Sequence, residues 1–357
     1  MFPMADVAAA TGNFDPSNQI GEGGVGQVFK GRLSQIPVAV KKLTPENGVP
    51  ADQMITEVMA LTKYRHPHLI ALLGHTALTE PSPCLIFPLM SQGSLRDRLD
   101  LKDGTDPLSW DVRMKVAFQA ASALAFLHRP FQGAQVLLHL DVKSENILLD
   151  QQYDVRVADF GLTKLLPKGN QPLHNQQVGG TLGYLCPEFV HSGIVSDKND
   201  VFAFGVVLAE LLSSKPAVLP QTGNLPSPNL HRMLKEKLRT ASDLLDPAFL
   251  DPHVKSTWPQ DVFRSFAQLS RLCLEDDPSL RPNMQVVCET LKKLVSGEHR
   301  VCIVCMDNPT NARLQCGHAT ICTVCAQYLR RRGEGCPVCR AQIATVQRGL
   351  FTKTFIP

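Results

Sequence analysis

Between Ile20 and Leu43, apolar and polar residues alternate around a glycine-rich turn. Side chains of a strand point in turn to its two faces, so this alternation predicts strands of an antiparallel sheet with one face buried. The period then changes. Apolar positions recur every three to four residues over 51–64 and 110–128, which predicts amphipathic helices. Ser109 precedes Trp110 as a candidate cap. Leu137 to Ala158 holds two short apolar runs around a polar loop, and 198–213 reads as a buried helix. Lys215 to Pro228 is rich in Pro, Gly and Ser and predicts a loop. Helical periods return at 229–240, 260–274 and 284–295, followed by a polar joint at 296–300 and a cysteine-rich segment. Strands first and helices after predict an α+β fold with a small appendage. There is no internal repeat and no low-complexity stretch.

Composition narrows the class. The chain has 357 residues, 44% hydrophobic and 19% charged, which fits about two globular domains. A net charge of +3 gives no reason to expect nucleic acid or a membrane surface. The charge is uneven, however. From Ser296 onward eight Lys or Arg face three acids, so that part carries +5 and the rest −2. This predicts either a solvated basic face or a surface for an acidic protein partner. The longest apolar run, near Val201–Leu212, is short of the ~20 residues of a membrane span, and Met1 to Ala10 lacks the pattern of a signal peptide. Seven of the eleven cysteines fall between Cys302 and Cys339. Cys84, Cys186, Cys273 and Cys288 are scattered and read as buried thiols. Without a secretory signal, clustered cysteines predict metal and a reducing, cytoplasmic setting.

Two groups of residues suggest phosphate chemistry. Gly21, Gly23, Gly26 and Val28 sit between two predicted strands, where glycines let the backbone approach phosphate groups. Alone this pattern is weak. Val38-Ala39-Val40-Lys41 follows on the next strand, and a lysine there reaches nucleotide phosphates. Glu57, in the next helix, can pair with it. Farther on stand His139-Leu140-Asp141-Val142-Lys143-Ser144-Glu145-Asn146 and Asp159-Phe160-Gly161.

In this order these elements resemble the protein kinases over residues 14–295, with 1–13 as a lead-in. The resemblance implies a bilobal fold, with a small antiparallel-sheet lobe and a larger helical lobe. It also implies ATP and Mg2+ as cofactors and protein substrates. Asp141 matches the base that takes the substrate hydroxyl proton. Asn146 and Asp159 match the magnesium ligands, and Lys41 with Glu57 the pair that orients ATP. Lys143 is the serine/threonine-type residue beside the transferred group, and Thr181 the threonine that supports this loop. Phe87 matches the gatekeeper beside the adenine pocket, Ala39 belongs to the same ATP-binding set, and Met90 supplies the hinge N–H. Glu188 is expected to pair with Arg281, and Asp200 to tie down the catalytic loop. Ala9–Phe14, Gly93-Ser94-Leu95 and Lys198–Gly205 resemble the Pelle, interleukin-receptor-associated and plant receptor-like group. One residue departs. Leu140 stands where most kinases have an arginine that pairs with a phosphate on the activation loop. This implies activity without loop phosphorylation, or alternatively a pseudokinase.

The cysteine-rich segment reads Cys302-x2-Cys305-x10-Cys316-x-His318-x3-Cys322-x2-Cys325-x10-Cys336-x2-Cys339. Eight soft ligands make two closed tetrahedral sites, which are structural and suited to two Zn2+. Spacing does not say which ligands share a metal. The pattern resembles the RING fingers, over 301–340, and that resemblance implies interleaved sites. One takes Cys302, Cys305, Cys322 and Cys325; the other takes Cys316, His318, Cys336 and Cys339. It further implies that Ile303 and Pro337 contact a ubiquitin-conjugating enzyme and that Arg340 bridges to ubiquitin. The apolar tail over 341–357, with Ile343, Val346, Phe351 and Phe355, lies past the last ligand. RING fingers of the inhibitor-of-apoptosis and neuralized types dimerise through such tails, so a homodimer is expected. The whole chain then reads as a serine/threonine kinase joined to a ubiquitin ligase. The alternative is a ligase whose kinase-like part is a pseudokinase scaffold that recruits substrates.

Overall fold

In the computed structural model the described residues are 1–23, 26–43, 51–130, 135–167, 169–221, 228–237, 249–254, 257–296, 302–305, 308, 310 and 312–348. The chain opens with helix α1 (Met4–Ala10) and strands β1 (Gln19–Gly23), β2 (Gly26–Leu33) and β3 (Ile36–Leu43). Helix α2 (Ala51–Lys63), β4 (Gly74–His75) and β5 (Cys84–Pro88) follow. The five strands form one antiparallel sheet in the order β1-β2-β3-β5-β4. The alternation read over 20–43 thus becomes three strands.

Alternation also sorts the faces of this sheet. Val38, Val40, Cys84 and Ile86 lie in one buried cluster with Val7 of α1 and, at its margin, Phe2 and Met4. Leu43, Leu85 and Phe87 face the other way, into the main core. The lead-in therefore covers the outer face of the sheet. Gly31 permits this approach, since a Cβ there would lie 2.6 Å from the carbonyl oxygen of Ala10. Phe2 adds a backbone bond, its N–H donating to His75 O at 2.9 Å.

The second lobe begins with α3 (Leu95–Leu99), α4 (Trp110–Leu127) and β6 (Leu137–Leu138). Next come β7 (Ile147–Leu149), β8 (Val155–Val157), β9 (Lys164–Leu165), α5 (Pro187–Ser192) and α6 (Asp197–Ser213). It ends with α7 (Leu230–Lys237), α8 (Gln260–Cys273) and α9 (Met284–Val295). Strands β6 and β9 pair, β7 and β8 form a hairpin, and the polar loop that the sequence placed between apolar runs lies between β6 and β7. Helix α6 is buried along almost its whole length, as its near-continuous apolar sequence requires. A capping box fixes its start: Ser196 Oγ accepts from the helix amides, and Asn199 Oδ1 accepts from Ser196 N–H. Ser109 stands at the start of α4, but its side chain caps nothing. The predicted loop 215–228 and helix 229–240 extend past the described residues at 222–227 and 238–240, and the joint is described only at Ser296.

The cysteine-rich part contains β10 (Ala312–Leu314), α10 (Thr323–Arg331) and β11 (Val346–Arg348). Here the structure departs from the expectation that the unit ends at residue 340. Strand β11 pairs with β10, Leu314 opposite Val346, and Ile343 is buried with Leu314, Ile321, Ala326 and Leu329. A core this small needs every apolar side chain within reach, and Ile343 and Val346 are used inside it. Phe351 and Phe355 lie outside the described residues.

Candidate functional site

The inner face of the sheet presents the residues predicted to hold ATP. Val28 lies opposite Lys41, and Ala39 opposite Phe87. Cross-strand partners point to the same side, so these four share one face. Gly21 and Gly23 lie on β1, and Gly26 opens β2. Gly26 has φ 149°, and a Cβ there would lie 2.2 Å from Lys42 O, so only glycine fits. Met90 follows β5, half-buried against the core, and its carbonyl accepts from Gly93 N–H at 3.1 Å.

Lys41 joins three elements. Its Nζ lies 2.8 Å from Glu57 Oε2 on α2 and 2.9 Å from Asp159 Oδ1 beyond β8. Burial alone lowers the affinity of this ammonium for its proton, but Glu57 and Asp159 outweigh it and the net shift is upward. Burial also raises Asp159, and Lys41 more than reverses that, leaving the carboxyl below its ordinary range. The site therefore keeps a fixed positive charge beside an ionised carboxylate. Phe160, directly after Asp159, is fully buried against the ring of His139, 4.9 Å between centroids.

A second cluster surrounds Asp141. Thr181 Oγ1 donates to Asp141 Oδ1 at 2.8 Å, and Lys143 Nζ lies 2.8 Å from both Asp141 Oδ2 and Thr181 Oγ1. Asn146 Nδ2 donates to Asp141 O at 2.8 Å and to Oδ2 at 3.0 Å. This leaves the amide oxygen of Asn146 and the carboxylate of Asp159 as hard oxygen donors, the kind magnesium prefers.

The loop carrying Asp141 is tied from below. Asp200 Oδ2 accepts from His139 N–H and Oδ1 from Leu140 N–H, each at 2.8 Å, and His128 Nε2 lies 2.8 Å from Oδ2. These bonds outweigh the burial that would raise the Asp200 carboxyl, and its net shift is downward. They also hold Leu140 at φ 64°, a left-handed conformation costly for a branched residue. Near the far end of the same region, Arg281 meets Glu188 in a bidentate pair, at 2.7 and 2.9 Å. The Arg281 side chain is fully buried. Glu188→Ala leaves that charge with backbone carbonyls and no carboxylate, so the kinase-like unit is expected to lose about 3–5 kcal/mol. Urea unfolding followed by tryptophan fluorescence checks this.

The eight predicted zinc ligands form two groups. They are Cys302, Cys305, Cys322 and Cys325, and Cys316, His318, Cys336 and Cys339, with ligand atoms within 4.8 Å of one another in each. The interleaved pairing implied by the resemblance is the one the fold produces. Zinc–sulfur bonds of about 2.3 Å give tetrahedron edges of about 3.8 Å, and Cys305 Sγ lies 3.9 Å from Cys322 Sγ. His318 presents Nδ1, 3.4 Å from Cys316 Sγ. Backbone N–H groups of Asn308, Cys325 and Val338 donate to Cys305, Cys322 and Cys336 sulfurs at 3.4–3.5 Å, as thiolate ligands require. Of the predicted partner contacts, Ile303 and Pro337 are half-exposed and Arg340 is exposed.

Thr181 was legible as a supporting residue, but not as a direct donor to Asp141. Tyr184, Ser144 and Glu210 were not foreseen as a group. Only the tyrosine beside Gly183 and the acid within an apolar helix pointed to them.

Comparison with known proteins agrees with this geometry. Residues 14–291 match the protein kinase domain family, and 298–346 match the zinc finger, C3HC4 type (RING finger). The chain is 36% identical over 301 residues to the probable serine/threonine-protein kinase PBL22 of Arabidopsis thaliana, covering 83% of this chain and 76% of that protein. Its identity with the probable serine/threonine-protein kinase PBL8 of Arabidopsis thaliana is also 36%, over 82% of this chain and 72% of that one. It is 38% identical over 302 residues to the LysM domain receptor-like kinase 3 of Medicago truncatula, covering 83% of this chain and 46% of that receptor. The chain thus spans about half the length of that receptor-like relative. Among the described residues no helix is long and apolar enough to cross a membrane. The chain belongs to the protein kinase family and carries a RING finger of the C3HC4 type after its kinase domain.

Proposed function

We propose that this chain is an active serine/threonine kinase of the Pelle, interleukin-receptor-associated and plant receptor-like group, coupled to a RING ubiquitin ligase. The observation that carries the first half is the Asp141 cluster. Its carboxylate is held by Thr181, Lys143 and Asn146 at hydrogen-bond distance, beside the Lys41–Glu57–Asp159 chain. Asp141 accepts the proton of the substrate hydroxyl. Lys143 sits where charge develops on the transferred phosphoryl group, and Thr181 fixes both. Gly21, Gly23, Gly26, Val28, Ala39, Phe87 and Met90 enclose the nucleotide, and Lys41, oriented by Glu57, holds its phosphates. Asp159 and Asn146 would hold Mg2+, which would neutralise phosphate charge there, and the protein supplies positioning and electrostatics.

In the RING, the two ligand groups would hold two Zn2+, which would fix Ile303, Pro337 and Arg340 on one frame. Ile303 and Pro337 receive a ubiquitin-conjugating enzyme, and Arg340 contacts ubiquitin. The kinase unit runs over 14–295 and the RING from 301, in the cytoplasm, with protein substrates. Leu140 favours a second reading, a ligase with a pseudokinase scaffold. One reaction separates the two. It contains the full chain, labelled ATP, magnesium, ubiquitin, its activating enzyme and a conjugating enzyme. Our reading expects both labelled phosphate and ubiquitin on protein. Lys41→Ala should remove the first and Arg340→Ala the second. Ubiquitin transfer without phosphate transfer in the wild type would establish the scaffold reading instead.

A further inference from the structure

Between Asp159 and Glu188 the sequence has only three hydroxyls, Thr163, Thr181 and Tyr184. Each is engaged. Thr163 is buried and its Oγ1 donates to Phe160 O at 3.0 Å. Thr181 is held between Asp141 and Lys143. Tyr184 is buried, and its Oη donates to Glu210 Oε2 at 2.8 Å. None of the three offers a free hydroxyl to a phosphate, and Leu140, packed against the main core, could not pair with one. The middle of this segment is therefore ordered by something other than a phosphate.

Two sets of contacts meet there at Gln176. Lys164 lies on β9, opposite Leu138 of β6, and Leu138 directly precedes the loop that carries Asp141. Lys164 Nζ donates to Gln176 Oε1 at 2.7 Å. Gln176 Nε2 donates to His174 O at 3.0 Å, which keeps the amide oxygen turned toward the ammonium. The backbone of the same stretch pairs with the turn between α5 and α6. Leu173 and Val195 exchange two N–H to carbonyl bonds, each at 2.9 Å, and Gln176 N–H donates to Gly193 O at 3.0 Å. Gly193 ends α5 in the left-handed region, with φ 58°. A Cβ there would lie 2.6 Å from Gln176 O, so this approach needs glycine. Val195 is fully buried, and Ser196, next in the chain, caps α6. The backbone of Gln176 is thus fixed to the helical core, and its side chain to the strand pair beside the catalytic loop.

We propose that the carboxamide of Gln176, held by Lys164 and by the backbone pairing with 193–195, does for this segment what a phosphate would do, and keeps it in its working place without modification. This deepens the kinase reading above and rests on it. Lys164 and Gln176 are positioning residues: they act through the backbone of the segment and of β6, and not on ATP or the reacting hydroxyl. A hydrogen bond from a charged donor shifts an equilibrium by about tenfold or more, enough to decide whether a surface segment stays in one place. A glutamine is not a substrate for a kinase or a phosphatase, so this brace, unlike a phosphate, is always present.

The test uses the full chain and the variants Gln176→Leu, Gln176→Glu and Lys164→Met. Initial rates of phosphate transfer to a peptide are measured, and hydrogen exchange is followed over 173–177. Gln176→Leu removes the acceptor at similar size. It is expected to lower kcat by about tenfold, with KM for ATP within about twofold, because Lys41, Glu57 and Asp159 are untouched. The amides of 173–177 should exchange faster. Lys164→Met should match it, and the double variant should be no worse than either single one, since the two side chains make one contact. Gln176→Glu places a carboxylate opposite the ammonium and should stay within about twofold of wild type. A Gln176→Leu kcat within about twofold of wild type overturns the proposal, and so does a Gln176→Glu rate as low as that of Gln176→Leu. Unchanged exchange over 173–177 overturns it equally, including where the wild type transfers no phosphate, an outcome that separately refutes the kinase reading.

Discussion

Replacing Asp141 with asparagine is expected to cut phosphate transfer by about 10²–10⁴-fold, the contribution of a positioned general base. Asparagine has nearly the same shape and can still accept from Thr181, which donates to Asp141 Oδ1 in the structure. It has no basic site for the hydroxyl proton, however. ATP should bind within a few-fold of wild type, because Lys41, Glu57 and Asp159 form a separate chain of contacts on the other side of the site. The result is therefore a fall in kcat with little change in KM for ATP. Initial rates of labelled phosphate transfer to a peptide, over a range of ATP concentrations, measure this. A rate within about tenfold of wild type would remove Asp141 from the chemistry. Asp159→Asn should differ by raising KM for magnesium as well, since the proposed role of that carboxylate is ligand and not base.

Removing zinc is expected to have the largest structural effect in the chain. The RING core contains few apolar side chains, and four of its ten buried members among the described residues are ligand cysteines. Zinc provides about 10–16 kcal/mol of apparent folding free energy per structural site at neutral pH, more than such a core can replace. A strong chelator should unfold the segment around β10, α10 and β11. The kinase domain has its own continuous core and should keep its thermal transition. Cys316→Ser should reduce bound zinc from two ions per chain to about one, read by native mass spectrometry. It should also release the strand pairing of Leu314 with Val346. A RING that stayed folded in chelator, or a Cys316→Ser chain that kept two ions, would contradict this.

Period and spacing carried most of the fold into the sequence. The helices over 51–63, 110–127, 197–213, 260–273 and 284–295 lie within a residue of where three- and four-residue apolar repeats placed them. In each, one face or the whole surface is buried, so pattern and burial have the same cause. The short elements were less legible. Helix α1 covers the sheet through Val7, a contact that no local pattern announces. Helix α10 follows from zinc and a small core, because Cys322 and Cys325 must point one way while Ala326 and Leu329 pack inward. The role of Ile343 was hidden for the same reason. Beyond the last ligand, an apolar residue looks like a free tail until β11 folds back on β10.

The candidate sites divide along a similar line. Residues in fixed motifs, such as Lys41, Asp141 and Asn146, were singled out because those motifs resemble the protein kinases, and the eight zinc ligands because two closed tetrahedral sites need eight soft donors. The buried group of Tyr184, Ser144 and Glu210 was not, because its members come from three distant segments and each looks ordinary alone. Glu210 in an apolar helix becomes informative only once Arg96, Ser144 and Tyr184 are seen around it. Leu140 shows the converse: its identity was read at once, but its meaning depended on Thr163, Thr181 and Tyr184 in the segment from Asp159 to Glu188, all three of them hydrogen-bonded in the structure.

The central claim is that this kinase domain works without a phosphate on the segment between Asp159 and Glu188. Wild-type protein treated with phosphatase, then freed of it, measures this directly. Phosphate transfer to a peptide is followed from the first seconds after ATP and magnesium are added. The account predicts an immediate linear rate equal to that of untreated protein. A lag that ends only as the chain rephosphorylates itself, or no transfer from either sample, would contradict it.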